Sequence, residues 1–157
     1  MPDLNPGDKA PDFDLATDGG GRAKLADFAG SWLVLYSYPK DDTPGCTTEA
    51  IAFTDTGAEF AAAGAKVVGV SKDSPKSHDR FKAKHNLGFT LASDPDGEML
   101  ERYGLWVEKS LYGRKYMGID RATFLIGPDG LIRAVWRKVK VAGHAQAVLE
   151  ALRTSAG

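Results

Sequence analysis

The 157-residue chain has a single cysteine, Cys46, so no disulfide can close within it and no thiolate-rich metal cluster can be assembled. A small disulfide-stapled scaffold is excluded, and the length suits one ordinary domain, spanning residues 1–157, that buries its own core. Charge of one sign is also missing. Twenty Lys and Arg stand against 21 Asp and Glu, a net charge of −1, where a nucleic-acid or membrane-surface binder needs a basic excess. No window approaches the roughly 18 apolar residues of a membrane helix; the densest run, Trp32 to Tyr38, is strand-length. The opening MPDLNPGDKAPDF carries prolines, a glycine and three aspartates where a secretion signal needs an apolar run. The expected compartment is the cytoplasm, where a free thiol stays reduced. His78, His85 and His144 lack metal-ligand spacing, so they are expected to be surface or packing residues and no metal is expected.

What is present alternates between strand and helix signals. Trp32 to Tyr38 is a β-rich apolar run of the kind that lies mid-sheet, ended by Pro39. After the turn-forming Lys40 to Gly45, apolar or small residues recur at Ala50, Phe53, Gly57, Phe60 and Gly64, one buried helical stripe. Lys66 to Ser71 is a second central strand, giving a βαβ unit with parallel strands. Asp73-Ser74-Pro75 starts a helix expected to run to His85, and Leu91 to Ser93 is a short strand. Asp94-Pro95 opens a short helix carrying Met99, Leu100 and Tyr103, closed by Gly104. Trp106 to Gly118 has no clear period and reads as a long surface loop. Ala122 to Ile126 and Leu131 to Trp136 flank Gly127-Pro128-Asp129-Gly130, a hairpin signal, and a last helix runs from about His144 to Arg153. The sum is an α/β protein: a central mixed β-sheet flanked by helices on both faces, in thioredoxin-like order.

Function turns on Cys46. With Thr43 as N-cap and Pro44 at the first helical position, the sulfur falls in the first turn of a helix that follows a central strand. Unsatisfied N–H groups and the positive end of the helix dipole favour an anion there, and thiolates are the reactive form of cysteine. By residue type alone a lone cysteine is a small buried hydrophobe. Its position, at the carboxyl end of a central strand where ligands bind in open α/β sheets, balances that reading with a catalytic one.

Tyr38-Pro39-Lys40-Asp41-Asp42-Thr43-Pro44-Gly45-Cys46-Thr47-Thr48-Glu49-Ala50 closely resembles the active-site segment of the peroxiredoxins of the PrxQ or bacterioferritin comigratory protein subfamily. Its core is P-x-x-x-T-x-x-C, here Pro39, Thr43 and Cys46. A second family signature, an arginine opening a late strand, is matched by Gly118 to Ile126 with Arg121. Further matches at Gly7 to Phe13, Gly69 to Ser74 and Trp136 to His144 extend the resemblance over nearly the whole chain. The resemblance implies a thiol peroxidase without cofactor, in which the Cys46 thiolate attacks hydrogen peroxide or an organic hydroperoxide and becomes a sulfenic acid. Arg121 would polarise the sulfur and bind peroxide oxygen, the Thr43 hydroxyl would orient the peroxide, and the Gly45 and Cys46 backbone N–H groups would complete the oxygen pocket. Pro39 would shield the sulfur, and Glu49 would orient Arg121. Taken singly, each has a plainer reading: Thr43 an N-cap, Pro39 a strand end, Arg121 a surface residue, Glu49 a first-turn carboxylate.

The chain departs in one respect from the family it resembles. Many members resolve the sulfenic acid with a second cysteine, five residues after the first or in the following helix. Those positions hold Ile51 and Lys82, so no resolving cysteine is present. A one-cysteine enzyme reduced by an outside thiol is expected, whether thioredoxin or glutaredoxin with glutathione, acting as a monomer or transient homodimer. The alternatives are a thioredoxin-like thiol/disulfide oxidoreductase, a monothiol glutaredoxin-like or iron–sulfur carrier, and a non-catalytic holdase. The first needs a C-x-x-C pair where this chain has Cys46-Thr47-Thr48-Glu49, and the second has no use for Thr43 with Arg121. The basic residues Arg133, Arg137, Lys138 and Lys140 read as a solvated face.

Overall fold

A computed structural model describes residues 3–156; Met1, Pro2 and Gly157, at the ends of the expected domain and at the head of the opening segment, lie outside the described residues. Seven strands form one mixed sheet in the order β2-β1-β5-β4-β3-β8-β9. The strands are β1 (Asp14–Thr17), β2 (Arg22–Lys24), β3 (Trp32–Ser37), β4 (Ala65–Ser71), β5 (Thr90–Ser93), β8 (Ala122–Ile126) and β9 (Ile132–Trp136). β3 pairs in parallel with β4, and β4 with β5, whereas β3–β8 and β8–β9 are antiparallel. The expected βαβ unit and late hairpin are both present, so the fold is the expected mixed α/β sheet.

Alternation along β3 divides the core into two. Leu33 and Leu35 face one side of the sheet with Val68, Val70, Phe124 and helix α4 (Glu98–Arg102), whose Met99 and Leu100 are fully buried. Val34 and Tyr36 face the other with helices α1 (Pro44–Asp55), α3 (Pro75–His85) and α5 (His144–Ala156), which contribute Phe53, Phe81, Val148 and Leu149. A two-residue period on a strand covered on both faces requires apolar residues at every position. This is why β3 reads as an unbroken apolar run.

Three expectations need correction. The stripe from Ala50 to Gly64 is not one helix: it breaks at Thr56 into α1 and α2 (Gly57–Ala62). Thr54 and Thr56 donate their hydroxyls to the carbonyls of Ala50 and Ala52, back-bonding that bends helices. The short helix after Asp94-Pro95 starts later, at Glu98, behind a left-handed Gly97, and the Asp94 carboxylate accepts the Leu100 N–H. The segment read as a loop is a second, two-stranded sheet, β6 (Trp106–Leu111) with β7 (Arg114–Ile119). Its turn places both Tyr112 and Gly113 at positive φ, 52° and 77°. Such turns favour Asn-Gly or Asp-Gly, and a tyrosine in the first position hides the signal. Replacing the 97% exposed Tyr112 by asparagine is expected to raise stability by about 0.5 kcal/mol by relieving that strain. Urea unfolding of the two proteins measures it.

Candidate active site

The register of β3 against β8 builds the site. Ser37 lies opposite Ala122; its hydroxyl donates to the Asp120 carbonyl at 2.7 Å and accepts the Ala122 N–H at 3.2 Å. The Val139 N–H holds the Arg121 carbonyl at 2.9 Å. Arg121 is thus fixed beside the end of β3, where α1 begins. Its Nη2 donates to the Cys46 sulfur at 3.3 Å and its Nη1 to Glu49 Oε1 at 2.7 Å. A Cβ on residue 45 would come within 3.3 Å of Nη2, so Gly45 lets the guanidinium lie against the helix start. Cys46, Arg121, Glu49 and Gly45 are brought together.

Thr43 is the N-cap residue, but its side chain caps nothing: the hydroxyl donates to the Lys40 carbonyl at 2.9 Å. Two consequences follow. The N–H groups of Gly45 and Cys46, which by position have no intrahelical acceptor, are not taken by the cap. The hydroxyl proton is already engaged, so toward a ligand the oxygen is an acceptor. Pro39 is exposed, next to buried Tyr38 and one loop away from the 2% exposed Cys46. Ile51 projects from α1 at 38% exposure, and Lys82 is tied to Asp18 at 2.8 Å.

Glu49 is 1% exposed and its Oε2 has no hydrogen-bond partner. Burial pushes its carboxyl up to about 7 against the pull of Arg121. Beside it lies the phenol of Tyr36, also without a partner and held un-ionised by burial and by the negative charge of Glu49 and Cys46. Tyr36 fits because its neighbour across the parallel pair is Gly69, where a Cβ would meet the ring at 2.9 Å. His144 Nε2 and the Thr123 hydroxyl are hydrogen-bonded across 2.7 Å, and burial followed by the Arg121 charge lowers His144 to about 4.

A second network was not legible in the sequence. Asp41, inside the Pro39–Thr43 loop, accepts from Tyr38 Oη at 2.6 Å, from Ser77 Oγ at 2.8 Å and from His78 Nδ1 at 2.7 Å. The other nitrogen of His78 faces the Ala92 carbonyl at 3.0 Å, and the Asp41 N–H is held by Asp73 at 2.8 Å. Asp42, at φ 58°, pairs with Lys84 and His85. His78 and His144 are buried against aromatic rings, as packing residues, and also hydrogen-bond, while His78 and His85 clamp the loop to α3. Arg137 is not simply solvated either: its guanidinium lies over the Phe124 ring and Nη2 is buried without a partner. Among the described residues no group of three His, Cys, Asp or Glu gathers to hold a metal, and no helix is long and apolar enough to cross a membrane.

Residues 6–135 match the AhpC/TSA family. The chain belongs to that family, the peroxiredoxins. It is 51% identical over 145 residues to peroxiredoxin Bcp of Xanthomonas campestris, covering 92% of this chain and 91% of that one. With peroxiredoxin Bcp of Escherichia coli K12 it shares 42% over 156 residues, 99% and 100% of the two chains. Among solved structures, a cysteine-to-serine variant of Xylella fastidiosa PrxQ matches all of both chains at TM-score 0.94 and 42% identity. The X. campestris bacterioferritin comigratory protein, studied for alkyl peroxide reduction, matches 92% of both chains at TM-score 0.88 and 50% identity. The fold is therefore the thioredoxin-like fold of these peroxiredoxins, and this peroxiredoxin is a thiol-dependent peroxidase. Serine variants of X. campestris PrxQ are known at two cysteine positions, spaced as Cys46 and Lys82 are here.

Two outcomes test the energetics. An acid raised by folding stabilises fully below its unfolded value near 4.5 and loses that contribution as pH rises through about 7. Glu49→Gln is therefore expected to be more stable than the parent above pH 7, on the order of 2 kcal/mol, with the excess shrinking toward pH 4. Urea unfolding across pH checks the trend. His78→Ala, which takes one of three side-chain donors from buried Asp41 and leaves the Ala92 carbonyl without its partner, is expected to cost about 2 kcal/mol by the same measurement.

Proposed function

We propose that Cys46 is the peroxidatic nucleophile, with Thr43, Arg121, Pro39 and the first turn of α1 as its working parts. The observation that carries this reading is the contact of Arg121 Nη2 with the Cys46 sulfur at 3.3 Å. A peroxide enters with its O–H donated to the Thr43 hydroxyl, whose own proton is engaged by Lys40. The Gly45 and Cys46 N–H groups and Arg121 face the oxygens, where charge develops as the O–O bond stretches. The thiolate attacks the terminal oxygen in line, giving a Cys46 sulfenic acid and water or an alcohol. Pro39 limits water at the mouth of the site, and Glu49 holds Arg121 in place.

Residues 1–157 act as one catalytic unit. With Ile51 and Lys82 in place of a second thiol, the sulfenic acid waits for an external thiol, thioredoxin or glutaredoxin with glutathione, in a reducing compartment such as the cytoplasm. The enzyme works as a monomer or transient homodimer. Exposed Leu111, Tyr112, Tyr116 and Met117 of the β6–β7 hairpin form the surface open to such a contact. The resemblance to a protein studied for alkyl peroxide reduction supports organic hydroperoxides as substrates beside hydrogen peroxide.

Stopped-flow oxidation of the reduced protein tests this. Fast loss of thiolate is expected with hydrogen peroxide, none in Cys46→Ser, and a slowing on the order of 100-fold or more in Arg121→Ala. A parental rate like that of free cysteine would sink the reading. With turnover supported by thioredoxin or by glutaredoxin and glutathione in parallel, activity with neither would reject both donors.

A further inference from the structure

Two buried groups able to carry negative charge, Cys46 at 2% exposure and Glu49 at 1%, touch the same cation through different nitrogens of Arg121. Ionising both would leave one buried negative charge uncompensated, which is costly. Beyond the first-turn N–H groups of α1, which favour an anion on the sulfur and not on Glu49, the surrounding elements supply little relief. From β3, the unpartnered Tyr36 phenol is neutral. From α5, His144 is held neutral. Asp41 of the neighbouring loop is engaged by Tyr38, Ser77 and His78. From β6, Lys109 lays its stem across Gly118 toward Asp120, Arg121 and Cys46, but makes no ion pair among the described residues. Asp120 faces away to the Lys138 N–H.

We propose that Cys46 and Glu49 share one proton across Arg121: in the resting enzyme the sulfur is the thiolate, the carboxyl holds the proton, and that proton ends on the oxygen that leaves when the peroxide bond breaks. The unpartnered Glu49 Oε2 is the oxygen available to carry it. This rests on the reading of Cys46 as nucleophile and extends Glu49 beyond a support for Arg121. The step balances: Cys46–S⁻, Glu49–COOH and ROOH give Cys46–SOH, Glu49–COO⁻ and ROH. The sulfur loses two electrons to the O–O bond, the S–O bond forms as O–O breaks, and the carboxyl proton neutralises the departing alkoxide or hydroxide. Arg121 then faces one anion again, Glu49 in place of the consumed thiolate. The buried cluster keeps its net charge throughout, so no unneutralised oxyanion is left in a site remote from water. The upward push of burial on Glu49, to about 7, has the sign this requires.

The test is proton counting on the reduced protein at about pH 8, above the value near 7 that burial and Arg121 set for Glu49 without a second anion, so that a carboxyl proton held there belongs to the shared state and is not regained from solution once Cys46 is oxidised. Thiolate is read by ultraviolet absorbance, one equivalent of hydrogen peroxide is added in weak buffer with an indicator dye, and intact mass reports whether Cys46 has reacted. The parent is expected to show thiolate and to take up no proton from solution as Cys46 oxidises. Glu49→Gln, which keeps an acceptor for Arg121 but has no proton to give, is expected to take up one per cysteine. Thiolate in the parent with one proton taken up, or absence of thiolate, overturns the proposal while leaving the peroxidase reading intact; unreacted Cys46 overturns both. A measurement on the parent alone guards against a poorly folded variant. Its infrared spectrum should show a carboxylic-acid carbonyl band that disappears on peroxide addition and is missing in Cys46→Ser, and a band that is absent or unmoved contradicts the shared proton.

Discussion

The guanidinium of Arg121, shared between the Cys46 sulfur at 3.3 Å and the Glu49 carboxylate at 2.7 Å, is the contact on which the rest of the site depends. Sulfur and carboxylate sit one helical turn apart on α1, and the cation comes from the residue that leads into β8, 72 residues from Glu49. They meet only because β8 runs antiparallel to β3 in a register that sets Ser37 against Ala122. Ser37 locks that register by holding backbone groups on both sides of Arg121, and glycine at 45 keeps the path clear. A slip of one residue would turn Arg121 to the other face of the sheet.

The sheet supplies rigidity and the loop supplies aim. Residues 39–43 belong to no strand or helix, yet they are held from three directions: Tyr38 behind, Asp73 and His78 from around α3, and Lys84 with His85 further along it. This fixes the angle at which α1 starts and lets Thr43 point its hydroxyl at Lys40 rather than at its own helix. The first-turn N–H groups are left without a side-chain cap that would have stabilised the helix by about 1 kcal/mol.

Much of this could be read from the chain. The central strands are covered on both faces and so are apolar throughout, Ser74 caps α3 through the Ser77 N–H as its Ser-Pro start implies, and the β8–β9 turn has its glycine and proline chemistry. The cysteine, threonine and arginine were placed by motif, and Glu49 by its turn of helix. What stayed hidden depends on contacts distant in sequence or on weak local signals. Asp41 and His78 are 37 residues apart, and each is a residue type that ordinarily faces water. The β6–β7 hairpin has largely exposed faces, so it lacks the alternation that marks a strand, and its turn opens on tyrosine. β1 and β2 are four and three residues long, too short for a period to register. The break at Thr56 comes from hydroxyls competing for helix carbonyls, which an apolar stripe does not record.

A single thiol, where X. campestris PrxQ has cysteines at two positions, changes what oxidation leaves behind. With Lys82 engaged by Asp18 and Ile51 apolar, the oxidised sulfur has no partner in its own chain, so its recovery belongs to another molecule. The most direct measurement is intact and peptide mass spectrometry after one equivalent of peroxide without reductant, with a sulfenic-acid trap present. The account predicts one trap adduct per chain, on the peptide containing Cys46, and its disappearance when a thiol donor is added first. Protein of unchanged mass, or oxygen found on methionine with Cys46 still free, would contradict it.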